Sequence, residues 1–257
     1  MAPKAKDTGV EIEVLALDQG RLSVAIVGTT PFVCERMSQK VELGLLIPGG
    51  KKSMMEKATT LKHHPLQEYR DSAYTLADEK AVTLLAMLAV SFKKSMMTAA
   101  LDDPNMKKTQ VGRLVRVEGE RLSLYGVPQM FMSVTRSADM NRTPDVRTRA
   151  IVSRWAVLME VSFARPHFRD KGIANLLAKA GMFSGVGGWR TEKGSGNYGS
   201  FRLADANDAE LKDIIKTGGR KAQLEAMNNP TFYDDETAYL FTEYNRIASD
   251  RGFKVAS

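Results

Sequence analysis

Two stretches of the chain alternate apolar and polar residues with the period of two that is typical of a half-buried β-strand. The first covers residues 21–27 and ends at the turn sequence Gly28-Thr-Thr-Pro31. The second, residues 154–163, is clearer because one of its faces is wholly large and apolar. That face consists of Trp155, Val157, Met159, Val161 and Phe163. Shorter strands are predicted at residues 112–118 and 200–203.

A second pattern, with apolar residues three and four positions apart, predicts amphipathic helices. Residues 92–101 follow it, with Ser91 as the expected N-cap and Asp102-Asp-Pro104 as the stop. Residues 170–180 follow it more regularly. Two further helices are predicted near the C-terminus, at residues 208–217 and 234–250.

The resulting order is strand, helix, strand, strand, helix, strand. This order predicts an α+β protein with a ferredoxin-like (RRM-like) βαββαβ core, whose two helices cover one sheet face and leave the other open. Long insertions are expected at about residues 29–90 and 119–149, and long connections in compact domains are usually functional. Residues 1–204 then form the main body, and residues 205–257 form a helical C-terminal extension, here called the annex.

Composition excludes several classes of protein. The 257 residues include one cysteine and three histidines, which excludes a disulfide framework and any multi-cysteine metal site. We therefore expect no metal and no cofactor. The first residues lack the apolar core of a signal peptide, and no apolar stretch is long enough to span a membrane. These features predict a soluble cytoplasmic protein with no membrane partner.

Charge points to a polyanionic partner. The chain carries 37 Lys and Arg against 30 Asp and Glu, a net charge of +7. The annex has 7 basic and 10 acidic residues, so residues 1–204 have 30 basic and 20 acidic residues, a net charge of +10. A basic body of this kind is typical of proteins that bind nucleic acid.

The first candidate site is an arginine-rich stretch in the second insertion. Five arginines lie close together in the sequence, at Arg136, Arg142, Arg147, Arg149 and Arg154. Arginine suits phosphate recognition because its planar group donates two hydrogen bonds at once. Apolar side chains at Met130, Phe131, Met132 and Met140 lie nearby. Interleaved basic and apolar residues on a loop favour contact with the phosphates and bases of a single strand; the alternative is a solvated loop.

The second candidate is the sequence Ser91-Phe-Lys-Lys94. It places Lys93 and Lys94 in the first turn of the predicted helix, where their charge opposes the helix dipole. A bound phosphate would make that arrangement favourable, and the alternative is that both lysines extend into water. Lys51 and Lys52, in the first insertion, add two further candidate phosphate contacts.

The third candidate is a glycine-rich segment, residues 185–199. Closely spaced glycines let a backbone approach phosphate. Arg190 and Lys193 supply charge, and Trp189 and Tyr198 offer faces for base stacking. The segment is neither a Walker loop nor a dinucleotide-binding fingerprint, because it follows a helix and leads into a strand. The alternative is a flexible connection in which Trp189 packs on the core.

Catalytic candidates are few. A histidine pair could exchange protons at a phosphodiester, and His63 and His64 are the only candidates for it, although adjacent side chains on a loop point apart. His167 is expected at the surface and Cys34 as a buried structural thiol. Acidic residues at 234–236 are expected to cap a helix. An aromatic and apolar stripe on that helix is expected to be its buried face; it comprises Tyr239, Leu240, Phe241, Tyr244 and Ile247.

Taken together, four features resemble the RAMP superfamily, the RRM-like proteins that build CRISPR effector backbones and process guide RNA. They are the first strand ending at Gly28-Thr-Thr-Pro31, the Ser91-Phe-Lys-Lys94 helix start, the insertion before the third core strand and the glycine-rich segment. They span residues 21–204, and the resemblance also fits stand-alone relatives of this superfamily encoded by bacteriophages. The resemblance implies a ferredoxin-like palm, a protruding thumb at residues 119–149 and polymerisation along RNA in the cytoplasm of a bacterial or phage-infected cell.

Carried onto this chain, the resemblance implies that Lys93 and Lys94 grip the strand at the helix start and that the arginines of residues 136–149 lie in the thumb. Arg190 and Lys193 would lie in the glycine loop. The leading hypothesis is non-enzymatic binding of single-stranded RNA or DNA by a homo-oligomer that coats the strand. The alternatives are a metal-independent RNA endonuclease that uses His63 or His64, and a phage structural or adaptor protein.

Overall fold

The fold is α+β, with antiparallel sheets. The computed structural model describes residues 18–37, 39–46, 53, 60–136, 143–193 and 196–253. The strands are β1 Asp18–Gly28, β2 Phe32–Val33, β3 Tyr74–Thr75, β4 Leu85–Leu88, β5 Val115–Val117, β6 Arg121–Tyr125, β7 Pro128–Arg136, β8 Pro144–Val152, β9 Ala156–Arg165 and β10 Phe201–Ala204. The α-helices are α1 Gln39–Leu46, α2 Pro65–Asp71, α3 Ala89–Ala99, α4 Lys108–Leu114, α5 Asp170–Lys179, α6 Ala209–Thr217, α7 Arg220–Asn228 and α8 Asp235–Asp250.

The main sheet is built around β1 and β9, the two strands with the clearest alternation in the sequence. Their antiparallel register pairs Leu22 with Val161 and Ile26 with Val157. On the other side of β1 lies β10, and β5 and β6 follow one another along the other side of β9. The sheet then continues from β6 to β4 and β3. All of these pairings are antiparallel.

The large core lies between this sheet and helices α3 and α5. Ile173, Leu176 and Leu177 of α5 are buried against it, as the sequence spacing predicts. The second face of the sheet is covered at one end by α6, whose Leu211 and Ile214 pack on Val27 and its neighbours. The expectation of an open second face is therefore wrong at this end, because α6 is amphipathic and buries its apolar side there.

The second sheet consists of a long hairpin, β7–β8, with β2 added to β8. The hairpin register runs from Pro128 opposite Val152 to Arg136 opposite Pro144. Helix α2 packs on β8, and α7 and α8 of the annex pack on β7. The hairpin base is therefore enclosed by helices, while its outer end carries exposed residues such as Arg136 and Val134.

The annex is joined to the rest of the molecule by buried hydrogen bonds. The Gln223 side chain accepts from the backbone N–H groups of Leu84 and Leu85 at 2.7 and 2.9 Å and contacts three carbonyl oxygens of the body and annex at 2.8–2.9 Å. On α8, the Thr237 hydroxyl accepts from the Met132 N–H at 3.1 Å. Gln223 and Thr237 are both fully buried. We call this contact region the annex seam.

Three local predictions are wrong, each because tertiary packing overrides the local signal. The helix expected from residue 92 begins at Ala89, directly after buried strand β4, so Ser91 is not its N-cap. Residues 112–114 of the strand expected at 112–118 belong instead to helix α4, which buries Val111, and β5 is the part of the expected strand that remains extended. Helix α7 was not expected at all; it buries Gln223, Ala226 and Met227.

Candidate nucleic-acid interface

Three segments that are far apart in the sequence meet beside α3. They are the N-terminal half of α3, the start of the glycine-rich segment and the chain around Glu35, just after β2. Between them lies a cleft of about 200 Å³, here called the helix cleft. Its charged lining residues are Lys94, Arg190, Glu35 and Glu192, and its floor includes Phe32, Tyr74 and Met87.

A second cleft shares Glu35 with the first. This hairpin cleft, of about 490 Å³, lies between β8 and the segment that carries His63 and α2. Its charged lining residues are Glu35, Arg36, His63, Glu68, Asp145, Arg147 and Arg149. Because Glu35 lines both clefts, they are neighbours on the surface, and we call the two together the groove.

Only one of the two candidate lysines faces the groove. Lys94 lines the helix cleft, whereas Lys93 lines a separate cleft beside another face of α3. Both lysines lie in the second turn of the helix, since α3 begins at Ala89. The dipole effect falls off within the first turn, so the predicted electrostatic cost at Lys93 and Lys94 is smaller than the sequence suggested.

The glycine-rich segment forms the wall of the helix cleft. Gly187 has φ +85°, a conformation that favours glycine, and a Cβ there would collide with the Phe32 ring. The N–H of Gly188 donates to the Val33 carbonyl oxygen at 2.9 Å and fixes the segment to β2. These contacts place the following residues, including Arg190, beside α3.

Arg190 is held in the helix cleft by hydrogen bonds. Its Nε donates to Glu192 Oε2 at 2.8 Å, and its Nη1 donates to the Gly187 carbonyl oxygen at 3.1 Å. Glu192 also accepts from the Thr98 hydroxyl at 3.0 Å. Although burial alone would raise the pKa of Glu192, these hydrogen bonds lower it, so the carboxyl stays ionised. Lys193 is exposed next to this pair.

Trp189 and Tyr198 are not free stacking surfaces. Both pack in an aromatic cluster around Phe131, whose ring centroid lies 5.5 Å from that of Trp189 and 6.2 Å from that of Tyr198. The guanidinium group of Arg149 lies over the Trp189 ring, with its carbon atom 5.4 Å from the ring centroid. The alternative in which Trp189 packs on the core describes this arrangement better than the stacking hypothesis.

The arginines of the second insertion have different surroundings. Arg149 on β8 is nearly buried, and its Nη1 lies 3.3 Å from Glu35 Oε1. Burial lowers the pKa of Arg149, and the negative charge of Glu35 opposes that shift. Arg147 is exposed and lines the hairpin cleft, and Arg136 is exposed at the end of β7. Arg154 lies away from the groove and pairs with Asp213 of α6 at 2.9 Å.

The apolar residues expected to contact bases belong to the core. Met130, Phe131 and Met132 are buried in β7, because this stretch is a strand and not a loop. Four further candidates lie outside the described residues: Lys51, Lys52, Met140 and Arg142.

The histidine pair does not form one site. His63 Nδ1 lies 3.1 Å from Glu68 Oε1, and its Nε2 lies 3.0 Å from Asp145 Oδ1. The His63 ring thus bridges α2 to β8, with both nitrogens occupied, whereas His64 is exposed and contacts Glu68 through its backbone N–H and carbonyl groups. His167 is exposed, as expected.

Other sequence predictions are confirmed in part. Cys34 is buried, and that burial raises the pKa of its thiol to about 12, as expected of a structural cysteine. Asp234 caps α8 by accepting from the Thr237 N–H at 2.8 Å. On the same helix, however, Tyr239 and Ile247 are exposed, so the aromatic stripe is only partly buried.

A stacked group of side chains beside the groove was not predicted from the sequence. The guanidinium carbons of Arg36 and Arg121 lie 6.0 and 5.8 Å from the centroid of the Tyr74 ring. The three residues come from separate segments and follow no spacing pattern, so no sequence signal could have identified them. Tyr74 also lines the helix cleft, which places an aromatic ring beside Lys94 and Arg190.

No protein-family model matches the chain, and a search of curated proteins finds no similar sequence. Among the described residues there is no cluster of three or more His, Cys, Asp or Glu side chains placed to hold a metal ion. Within the same part of the chain, none of the helices is both long and apolar enough to cross a membrane.

Proposed function

We propose that this protein binds single-stranded nucleic acid in the groove without altering it chemically, and that several copies coat one strand. The observation that carries the proposal is the convergence of Lys94, Arg147 and Arg190 on two adjoining clefts. These cations come from segments that are far apart in the sequence, so their proximity is a property of the fold, and a phosphate backbone can contact several of them at once.

The strand order supports a ferredoxin-like core. Along the sheet, β10, β1, β9 and the successive strands β5 and β6 correspond to positions four, one, three and two of a βαββαβ unit, with α3 and α5 as its helices. In this comparison the β7–β8 hairpin is inserted between the second and third strands, where the RAMP resemblance implies a thumb. The proposal of a RAMP-like palm rests on this correspondence.

The groove also offers contacts for bases. Phe32, Tyr74 and Met87 line the helix cleft beside its cations. Stacking on an aromatic side chain is worth about 1–3 kcal/mol per base and does not depend strongly on sequence. Binding in this groove would therefore combine phosphate contacts with limited base stacking, and it would show little sequence preference.

Two of the groove arginines are already paired with carboxylates in the structure. Arg149 faces Glu35 and Arg190 faces Glu192. A phosphate that binds either arginine must compete with a carboxylate, which reduces the gain from each contact. This arrangement holds the guanidinium groups in position before the strand arrives, and it favours a strand that makes many contacts over a single small anion.

The test is fluorescence anisotropy with equal-length single-stranded RNA, single-stranded DNA and duplex DNA, in EDTA, at several salt concentrations. The expected result is salt-dependent binding to single strands that tightens as the strand lengthens. Lys94→Ala/Arg147→Ala should reduce the slope of log affinity against log salt by about 1.4, since each single-strand contact contributes about 0.7. Lys212→Ala/Lys216→Ala removes the same charge from exposed positions of α6 and is the matched control.

Two outcomes would replace the proposal. If no polyanion binds at low salt and the free protein forms defined oligomers, the adaptor hypothesis accounts better for the chain. If RNA is cleaved in EDTA and His63→Ala or His64→Ala abolishes cleavage while binding persists, the protein is an endonuclease.

A further inference from the structure

A third cleft lies outside the groove, where β1 and β5 begin and β9 ends. It has a volume of about 360 Å³, and we call it the end cleft. Three cations line it: Lys93 on α3, Arg113 on α4 and Arg116 on β5. Among its described lining residues, Asp18 is the single carboxylate.

The three cations of the end cleft form no ion pair with any of the described residues. Within the described part of the chain, Lys93, Arg113 and Arg116 form no salt bridge and no side-chain hydrogen bond. Asp18 faces Arg165, with its Oδ2 3.8 Å from Arg165 Nη1. Three like charges therefore converge on one depression, while the carboxylate of Asp18, which also lines it, faces Arg165.

This balance distinguishes the end cleft from the groove. The helix cleft has two cations and two carboxylates, and the hairpin cleft has three arginines and three carboxylates besides His63. The end cleft has three cations and one carboxylate. An excess of positive charge in a concave surface attracts anions. Its two arginines, at positions 113 and 116, can donate paired hydrogen bonds to phosphate oxygens.

Helix α3 connects the end cleft to the groove. Lys93 and Lys94 are consecutive on α3, yet Lys94 lines the helix cleft and Lys93 lines the end cleft. The two clefts thus flank the same helix, and the path between them is on the order of one helix diameter, about 10 Å. A few nucleotides of an extended strand cover that distance.

We infer that the end cleft binds a phosphate group of the same single strand that occupies the groove, so that the bound strand crosses α3 between Lys94 and Lys93. This inference rests on the proposed function. It gives Lys93 a role in binding that the groove does not explain, and it adds Arg113 and Arg116 as phosphate-binding residues that no sequence motif marks. It also gives the strand a defined path across the molecule.

The inference predicts an effect that depends on strand length. The probes are single strands of about 4 to about 16 nucleotides, the range of site sizes found in single-strand grooves. Arg113→Ala/Arg116→Ala should bind the shortest strands as the wild type does, because they fill only the groove. For the longest strands the salt slope should fall by about 1.4, the share of two phosphate contacts. Lys212→Ala/Lys216→Ala is the charge-matched control.

A covalent probe locates the strand independently of affinity. Arg116→Cys places a thiol at the end cleft, while the native Cys34 is buried and reacts poorly. A strand with a disulfide-activated end should cross-link to this variant only above a threshold length. Lys216→Cys, exposed on α6, is the control and should not cross-link at any length.

Each outcome decides between the inference and the proposed function. If the wild type binds no single strand, both are wrong. If the wild type binds but the Arg113→Ala/Arg116→Ala slope equals that of the control at every length, the end cleft is not on the path and the groove alone binds the strand. If the double variant instead changes self-association of the free protein without changing the slope, the end cleft is a protein contact.

Discussion

The annex seam and the groove both contain hydrogen-bonded polar side chains, but those of the seam are neutral and buried, whereas those of the groove are charged and partly exposed. In the seam, Gln223 and Thr237 are fully buried and every side-chain polar atom has a backbone partner. In the groove, Arg190 and Glu35 are partly exposed, and their ion-pair partners can be exchanged for a ligand. Buried polar groups are costly when they lose a partner, whereas exposed ion pairs contribute little to stability. The seam therefore stabilises the fold, and the groove keeps its charges available.

The largest expected effect is at Gln223. Gln223→Leu removes a side chain that contacts five backbone groups and leaves those groups without partners in a buried position. We expect a loss on the order of 3 kcal/mol in the free energy of unfolding, measured by urea denaturation. Gln67→Leu is the control, because Gln67 is exposed and its amide contacts only Asp71. Equal losses in both variants would show that the seam does not stabilise the body.

A smaller loss is expected at Thr237. Thr237→Val keeps the shape of the side chain but leaves the buried Met132 N–H without its acceptor, which should cost about 1–2 kcal/mol. Amide hydrogen exchange should show faster exchange at Met132 and its neighbours on β7. Thr242→Val, an exposed position on the same helix, should change neither quantity. Unchanged exchange at Met132 would mean that α8 does not hold the hairpin.

In the groove, removing a polar partner should increase affinity for a strand, whereas in the seam it decreases stability. The change in the free energy of binding should be smaller than the changes in the free energy of unfolding expected for the seam. Glu35→Gln removes the carboxylate that competes with phosphate for Arg149, so affinity for a single strand should rise about fivefold, or about 1 kcal/mol. Stability should change little, because Glu35 is half-exposed. Glu225→Gln, on the annex, is the matched control. Weaker binding by Glu35→Gln would indicate that Glu35 positions the ligand and does not compete with it.

The sequence predicted those parts of the fold that depend on local periodicity. Strands β1 and β9 and helix α5 have long, regular apolar patterns, and the structure places them as expected. Strand β4 and helix α7 were missed because each depends on burial by distant partners. Four-residue β4 is too short to show a period, and α7 has a polar residue, Gln223, at its most buried position.

Composition predicted several residues of the candidate site but not how they are arranged in the fold. Charge and glycine content drew attention to Lys94, Arg147 and Arg190, which do line the groove. The sequence did not show that Lys93 faces elsewhere, that Arg154 pairs with Asp213 or that Trp189 is packed, because these outcomes depend on which segments meet in the fold. No motif in the sequence marks Glu35 or Tyr74, and it is the fold that places both residues in the helix cleft.

The smallest expected effect concerns the His63 bridge between α2 and β8. The hydrogen bond to Glu68 is the largest factor that raises the pKa of His63 above its usual value of 6.5. Burial alone would raise the pKa of Glu68 and Asp145, but their contacts with His63, and with Lys62 in the case of Asp145, lower both values. The stabilisation by protonated His63 is complete below about pH 6.5 and is lost as pH rises through the raised value in the folded protein. The carboxylates contribute above their usual pKa values, near 4, and lose that contribution in acid.

The bridge should therefore be strongest between about pH 4.5 and about pH 6.5. Between about pH 6 and about pH 8 the wild type should lose up to about 1 kcal/mol more stability than His63→Gln, which cannot titrate at this position. Thermal unfolding at matched ionic strength measures the difference, and His64→Gln should follow the wild type, since the ring of His64 is exposed. If His63→Gln shows the same pH dependence as the wild type, the ion pair adds nothing to the hairpin base. In that case the carboxylates at Glu68 and Asp145 belong with the exchangeable charges of the groove and not with the stabilising contacts of the seam.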